Sequence, residues 1–138
     1  MRTWLEQLER QSEGLHKCME AGAYLQCEEC RLWSNEKGCE AYGLDYTEMN
    51  NLRDMLTLAD IPYEVIVHMG GYCLRYPSTA ECVCSAILHA HSYGAFVGQI
   101  EINGLLTPEE AEESPVLGYL TGADVFGRIA RHWKEQNK

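Results

Sequence analysis

The sequence predicts an α+β domain, in which a small antiparallel sheet packs against helices behind an N-terminal helical, cysteine-containing extension. Three observations lead to this class. Residues 48–59 carry apolar side chains at helical spacing, several short β-rich segments separated by turn residues follow, and a capped amphipathic segment comes last. The order helix, four or five strands, helix is typical of an antiparallel sheet covered by helices.

The first helix of this core is expected over 48–59, with Thr47 as its cap and Pro62 just beyond its end. Gly70-Gly71 is a predicted hairpin turn, and Asn103-Gly104 closes a later strand. The predicted strands share β-branched and aromatic residues between turn signals: 63–68, 72–76, 82–90, 96–102 and 116–120.

Two further helices carry strong start signals. Thr107-Pro108-Glu109-Glu110 supplies a capping hydroxyl, a proline at the first helical position and first-turn acids, and Ser114-Pro115 stops this short helix. Thr121 is predicted to cap a terminal helix from Gly122 to about Glu135. The buried stripe of that terminal helix is expected to be Val125, Phe126, Ile129 and Trp133.

Residues 1–44 are predicted to be a separate extension, and 45–138 the α+β ligand-binding core. Trp4, Leu5 and Leu8 begin an apolar stripe at helical intervals that has no partner within the extension. We therefore expect this stripe to pack on the core or on another protomer, so the extension could anchor an oligomer.

Charge excludes one class of partner. The chain of 138 residues has a formal net charge of -10, which argues against binding to a DNA or RNA duplex. Binding of a small anionic ligand in a recessed pocket remains possible, because such a pocket needs only a few cations.

No apolar run approaches the ~20 residues of a membrane span, and the N-terminus lacks the apolar core of a signal peptide. We expect a cytosolic protein without a membrane partner.

The seven cysteines form two groups. Cys18, Cys27, Cys30 and Cys39 could supply four thiolates to a structural zinc ion, although a single C-x2-C pair leaves unbound thiols as the alternative. Such a closed site would be structural and not catalytic, and no cofactor is required. Cys73, Cys82 and Cys84 lie in predicted strands and are expected to be buried small hydrophobes.

Two clusters are candidate ligand-binding residues. Alternation along strand 82–90 places His89 and His91 on the same face, and the strand leads into a loop with Ser92 and Tyr93. In the terminal helix Arg128, Arg131 and His132 fall on one stripe. With Arg75, these groups suggest an anionic ligand whose phosphates accept bidentate bonds. Each group also has a simpler explanation. The terminal-helix cluster could be a solvated helix end, Arg75 could be a solvated strand residue, and tyrosines such as Tyr93 could serve core packing.

The sequence supports catalytic functions less well than ligand binding. His68, His89 and His91 could form a three-histidine metal site, but no acid is an evident general base. A thiol nucleophile needs a nearby histidine, and alternation places Cys84 and His89 on opposite faces. Phosphate loops, nucleophile elbows and dinucleotide fingerprints are missing from the sequence.

Several short runs stand out between about residue 49 and residue 138. They are Leu58-Ala59-Asp60-Ile61-Pro62-Tyr63, Tyr76-Pro77-Ser78, Val83-Cys84-Ser85-Ala86-Ile87, His91-Ser92-Tyr93-Gly94, Gly104-Leu105-Leu106-Thr107-Pro108-Glu109-Glu110 and Gly118-Tyr119-Leu120-Thr121. Taken together, these runs resemble the phage anti-Thoeris sponge family, which sequesters cyclic ADP-ribose-derived immune signals. None of the runs is a catalytic signature, and the family pattern does not extend over Cys27 to Cys39.

The resemblance implies a non-enzymatic protein of the infected bacterial cytosol that binds cyclic nucleotide messengers at protomer interfaces, as a dimer or as a hexamer assembled from dimers. It also implies, for some relatives, a separate site for cyclic di- or trinucleotides. Two other readings compete with it: a metal-dependent nucleotide-processing enzyme, and an oligomeric phage accessory protein without a small ligand.

Overall fold

A five-stranded antiparallel sheet, with its strands side by side in chain order, forms one layer of the fold. The computed structural model describes residues 42–68 and 70–137, two short strands before them, and the isolated residues Glu9 and Glu13. The short strands β1 (Trp33–Ser34) and β2 (Gly38–Cys39) pair antiparallel. The strands of the main sheet are β3 (Glu64–His68), β4 (Gly71–Tyr76), β5 (Cys84–Leu88), β6 (Ile100–Asn103) and β7 (Val116–Leu120).

Within the described residues from 42 onward, three α-helices accompany this sheet. The longer two, α1 (Thr47–Leu58) and α3 (Gly122–Gln136), pack against each other, and the short α2 (Pro108–Glu113) lies between β6 and β7 in the chain. The predicted α+β class is confirmed. Most of the predicted extension 1–44 lies outside the described residues, so its helix and its boundary with the core stay predictions.

Alternation divides the sheet into two faces. Leu74 of β4, Ala86 of β5 and Ile102 of β6 are register partners and are fully buried. They belong to the face that packs on the helices, which we call the core face, where α1 contributes Met49, Leu52 and Leu56 and α3 contributes Val125 and Ile129. The residues that alternate with them along the same strands, such as Arg75 and Ser85, lie on the opposite face, which we call the open face.

Helix α1 begins differently from its prediction. Thr47 is the first helical residue and Tyr46 is the cap position, without a side-chain capping bond. The Asp45 carboxylate accepts from the Thr47 hydroxyl at 2.6 Å and from the Thr47 backbone N–H at 2.9 Å. These two bonds hold the pKa of Asp45 below its usual value. The prediction of Thr47 as the cap was wrong, because the aspartate two residues earlier takes the exposed donor.

Turns change the boundaries of three predicted strands. Gly71 pairs with His68 inside the sheet, so the turn before β4 includes Gly70 but not Gly71. Gly94 and Gly98, with φ of 96° and 73°, bracket the 3-10 turn Ala95–Val97, where strand 96–102 was predicted to begin. That strand starts only at Ile100. The strand predicted over 82–90 is limited to Cys84–Leu88, because a turn that begins at His89 ends the ladder.

The start signals of the last two helices are confirmed. Thr107 and Glu110 form a capping box at α2, and Thr121 and Asp124 form another at α3. The Gly122 backbone N–H also donates to the Glu48 carboxylate of α1 at 2.7 Å, which ties the two long helices together. No helix within the described part of the chain combines the length and the apolarity needed to cross a bilayer.

We predict that Gly71→Ala strongly destabilises the fold. An added Cβ would lie 2.0 Å from the Leu88 carbonyl oxygen, a backbone atom fixed by the β4–β5 ladder, so strands must separate to admit it. The expected loss of unfolding free energy is about 3 kcal/mol or more, since this is both overpacking and ladder damage.

Gly127→Ala is the matched control, because an added Cβ there meets nothing within 4 Å in the middle of α3. That variant is expected to gain up to about 1 kcal/mol from helix propensity. Urea unfolding of both variants measures the two effects. Equal stability of Gly71→Ala and the wild type would contradict the β4–β5 register.

Candidate functional site

The candidate ligand-binding residues divide between the two faces of the sheet. The Tyr76 hydroxyl lies 2.7 Å from His132 Nδ1, which places this side of α3 above the core face. Arg75, the residue before Tyr76 in β4, therefore lies on the open face. The loop with His89 to Tyr93 also lies over the open face, because the Tyr93 N–H donates to Glu101, which neighbours Ile87 there. One chain thus forms two separate candidate sites.

The first site is a cleft of about 710 Å³ between α3 and the segment that follows β6, which we call the helix cleft. Its lining combines apolar side chains with charges of both signs. It is lined by Leu105, Leu106, Thr107, Leu120, Ala123, Asp124, Gly127, Arg128, Arg131, His132 and Glu135.

Arg128 is already engaged within the protein. Its guanidinium donates two bonds of 2.8 Å to the Glu110 carboxylate and one of 3.0 Å to the Leu105 carbonyl. The fork-shaped pair holds the pKa of Glu110 at about 2 and raises that of Arg128. Arg128 therefore clamps α3 to α2 and to the segment beside it. Its expected role as a phosphate ligand would require this clamp to open or to share donors.

Arg131 and His132 are better placed to meet a ligand. Arg131 is exposed at the helix cleft, one turn beyond Arg128. His132 is half-buried, and its ring packs edge-on against Tyr76 at a centroid distance of 5.5 Å. Because Nδ1 is engaged by the Tyr76 hydroxyl, Nε2 is the ring nitrogen that remains for a ligand. Asp124 and Glu135 line the same cleft, so its charge is mixed.

The second site is a pocket of about 280 Å³ on the open face, which we call the open-face pocket. Strand register places Arg75, Ser85 and Asn103 in one row across β4, β5 and β6. The pocket is lined by Ile66, Cys73, Arg75, Ser85, Ile87, His89 and Asn103. Of the expected ligand-binding residues, it brings together Arg75 and His89.

Internal hydrogen bonds shape the loop after β5. The Ser92 hydroxyl donates to the His89 carbonyl at 3.0 Å and accepts the His89 N–H at 3.1 Å, so this buried side chain closes the turn. The His91 N–H donates to His89 Nδ1 at 3.1 Å, and the His91 side chain is exposed. The Tyr93 ring is 60% exposed. The loop therefore offers His91 and Tyr93 outward, whereas Ser92 is a structural residue.

The thiols differ in exposure and acidity. Cys73 and Cys84 are buried as predicted, whereas Cys82 is exposed and that part of the prediction was wrong, because β5 begins only at Cys84. Burial is the main reason that the pKa of Cys84 rises to about 12. Cys84 lies on the core face and His89 lines the open-face pocket, so the two residues lie on opposite faces of the sheet, as alternation predicted.

Most of the predicted metal ligands lie outside the described residues. Cys18, Cys27 and Cys30 are not among them, and for Cys39 only the backbone is described, as is also the case for His68. Within the described part of the chain, no three His, Cys, Asp or Glu side chains come together as a metal site. The proposed zinc ligands therefore stay a prediction.

Comparisons of this chain with protein-family models, with curated proteins and with solved structures found no match.

Sequence reasoning missed Glu110, Ser85 and Asn103 as parts of the two sites. Glu110 was recognised as a helix-start acid, but nothing local in the sequence pairs it with Arg128, eighteen residues later. Ser85 and Asn103 fall into the row of Arg75 only once the pairing of three strands is known. Alternation within β5 was the one signal that pointed to the Ser85 side chain, because it shares a face with His89.

We predict that Glu110→Gln removes a pH-dependent contribution to stability. The folded-state pKa of Glu110 is lowered, so the contribution of the ion pair is complete above its ordinary pKa of 4.5 and is lost as the pH falls to about 2. Near neutral pH the variant should lose about 1 kcal/mol, a value kept small because the pair is partly exposed.

Urea unfolding of the wild type and of Glu110→Gln over this acid range tests the claim. Glu109→Gln is the matched control, since Glu109 is an exposed first-turn acid of the same helix. The stability difference for Glu110→Gln should shrink with acidification and that for Glu109→Gln should stay small. A Glu110→Gln deficit that is constant across the acid range would refute the clamp.

Proposed function

We propose that the protein binds and sequesters cyclic nucleotide immune messengers of the cyclic ADP-ribose class without converting them, and so antagonises bacterial anti-phage defence. The observation that carries the proposal is the helix cleft, where Arg131 and His132 are neighbours beside an apolar surface of Leu105, Leu106 and Leu120. The resemblance of the sequence to anti-Thoeris sponges supplies the ligand class.

In the proposed complex, polar and apolar groups of the helix cleft contact different parts of the ligand. The Arg131 guanidinium forms a bidentate pair with a phosphate, and His132 Nε2 adds a hydrogen bond on the same side. The leucines pack against the base or ribose. A cleft of about 710 Å³ falls within the usual size range of small-molecule sites.

Two charged neighbours set a requirement on the ligand. Asp124 is held in the capping box of α3, where its carboxylate accepts the Thr121 N–H, and Glu135 lies one turn beyond Arg131. Both repel phosphates placed next to them. The ligand's phosphates must therefore lie on the Arg131 and His132 side, while the uncharged parts of the ligand lie toward Asp124.

Binding rather than conversion is favoured by the state of the thiols. Cys84, with a pKa of about 12, stays protonated near neutral pH and is a poor nucleophile. Neither Cys82 nor Cys84 lines the helix cleft. A sequestering protein needs no such nucleophile, only a complex that dissociates slowly.

Self-association as a dimer or hexamer is part of the proposal. Tyr93 and Tyr119 are 60% and 53% exposed, and they lie side by side, with the Tyr119 N–H donating to the Tyr93 carbonyl. Large exposed aromatic rings of this kind are enriched where proteins meet. Arg75 and His89 lie on the other face of the sheet from the helix cleft, so they belong to this nucleotide site only if it is shared between protomers.

We predict that Arg131→Ala weakens the binding of a cyclic ADP-ribose isomer roughly ten- to a hundredfold, the effect of losing one charge-assisted bond to phosphate. Calorimetric titration with a panel of such isomers measures the affinity. Lys134→Ala is the matched control, because it removes an exposed positive charge of the same helix that does not line the helix cleft.

Light scattering and thermal melts of both variants check that assembly and folding are unchanged. Wild-type affinity of Arg131→Ala, or an equal loss of affinity in Lys134→Ala, would remove the helix cleft from the binding site.

A further inference from the structure

We propose that the open-face pocket is a second, independent ligand site that binds a small aliphatic monocarboxylate, with Arg75 as the residue that holds its carboxylate. The pocket lies on the face of the sheet opposite the helix cleft, so this inference does not rest on the proposed nucleotide function. Its basis is the convergence of hydrogen-bond donors above an apolar floor.

The polar side of the pocket is a row of three side chains on adjacent strands. Arg75 is the register partner of Ser85, and Ser85 is the register partner of Asn103. Cross-strand neighbours lie about 5 Å apart, so a guanidinium, a hydroxyl and an amide stand side by side. All three groups can donate hydrogen bonds, and the guanidinium fork matches the two oxygens of a carboxylate.

Arg75 is also available for a ligand. Among the described residues, no hydrogen bond or ion pair engages its guanidinium, whereas the Arg128 guanidinium donates to Glu110 and Leu105. Arg75 is half-buried, so it is partly shielded from water, and a charge-assisted bond there is stronger than at an exposed site.

His89 lines the end of the pocket. Its Nδ1 accepts the His91 backbone N–H, which places the proton of the neutral ring on Nε2. The turn closed by Ser92 fixes the position of His89 beside the pocket.

Two glutamates beside the pocket favour a ligand with a single negative charge. Glu64 is the register partner of Arg75, and Glu101 is the register partner of Ile87, so two carboxylates flank the pocket. A hydrogen bond from the backbone orients each carboxylate: Glu64 accepts from the Thr79 N–H, and Glu101 accepts from the Tyr93 N–H. They would repel a doubly charged phosphate or dicarboxylate, whereas a monocarboxylate is neutralised by Arg75.

The floor determines the rest of the ligand. Ile66, Cys73 and Ile87 are register partners on β3, β4 and β5, and they present an apolar surface beside the polar row. A pocket of about 280 Å³ is small for a nucleotide and suits a short aliphatic chain. The combination of one guanidinium and an apolar floor therefore fits a short-chain fatty acid or a similar oxo acid.

Butyrate is the probe for the test, and butyramide is its uncharged counterpart of the same shape. Butyrate is titrated into isotopically labelled protein at constant ionic strength, while amide chemical shifts are recorded. We expect saturable shifts at Cys73, Arg75, Ser85 and Ile87 with a dissociation constant in the millimolar range, and much weaker effects of butyramide.

Arg75→Gln should weaken butyrate binding at least roughly tenfold, as expected for loss of a charge-assisted bond. Arg131→Gln is the matched control, which removes a positive charge from the helix cleft and should leave butyrate binding unchanged. Asn103→Ala, at an exposed strand end, is a second variant that should weaken binding severalfold without disturbing the core.

Three results would overturn the proposal. They are butyrate shifts that do not saturate, equal binding of butyrate by the wild type and Arg75→Gln, and shifts that map to the helix cleft instead. Failure of this test leaves the nucleotide proposal untouched, because that proposal depends on Arg131 and His132.

Discussion

Burial of one face of the five-stranded sheet beneath α1 and α3 is the constraint on which the rest of the structure depends. Leu74, Ala86 and Ile102 lie in one row of this face and are completely buried against the helices. A slip of one residue in β4 would bring Arg75 into the core and expose Leu74 and Tyr76. The apolar pattern therefore fixes the register, and the register fixes where each polar side chain emerges.

Separation of the cationic groups follows from this constraint. Arg75 is forced to the open face, whereas Arg128, Arg131 and His132 lie on the side of α3. Two of the polar contacts that connect α3 to the rest of the protein involve these cationic groups: the clamp between Arg128 and Glu110, and the bond between Tyr76 and His132. The first removes a cation from ligand binding, and the second orients an imidazole toward the helix cleft.

Local signals in the sequence predicted much of the fold. The capping boxes of α2 and α3 involve residues three positions apart, so Thr107 and Thr121 could be recognised without knowledge of the tertiary structure. Alternation likewise placed Cys84 and His89 on opposite faces of β5. The errors arose where a neighbouring residue competes, as with Asp45 at the start of α1, or where glycines interrupt a β-rich run, as with Gly94 and Gly98.

The candidate sites were less accessible to sequence reasoning, because they depend on contacts between distant segments. The spacing of Arg128, Arg131 and His132 predicted their common side of the helix, but not that Glu110 engages Arg128. Arg75 and His89 were chosen for their chemistry, and the pairing of β4 with β5 then placed them in a pocket with Ser85. Which charges are neutralised within a fold is a property of three-dimensional packing, which a single sequence does not contain.

Recovery of ligand from the protein tests sequestration most directly. The protein is incubated with cyclic ADP-ribose isomers, passed through a desalting column, heated to release what it retains, and the released molecule is weighed by mass spectrometry. Sequestration predicts an intact isomer in fixed proportion to protein, with the same yield in the presence of a metal chelator. Release of a cleaved product whose formation the chelator abolishes, or retention of no isomer at all, would contradict it.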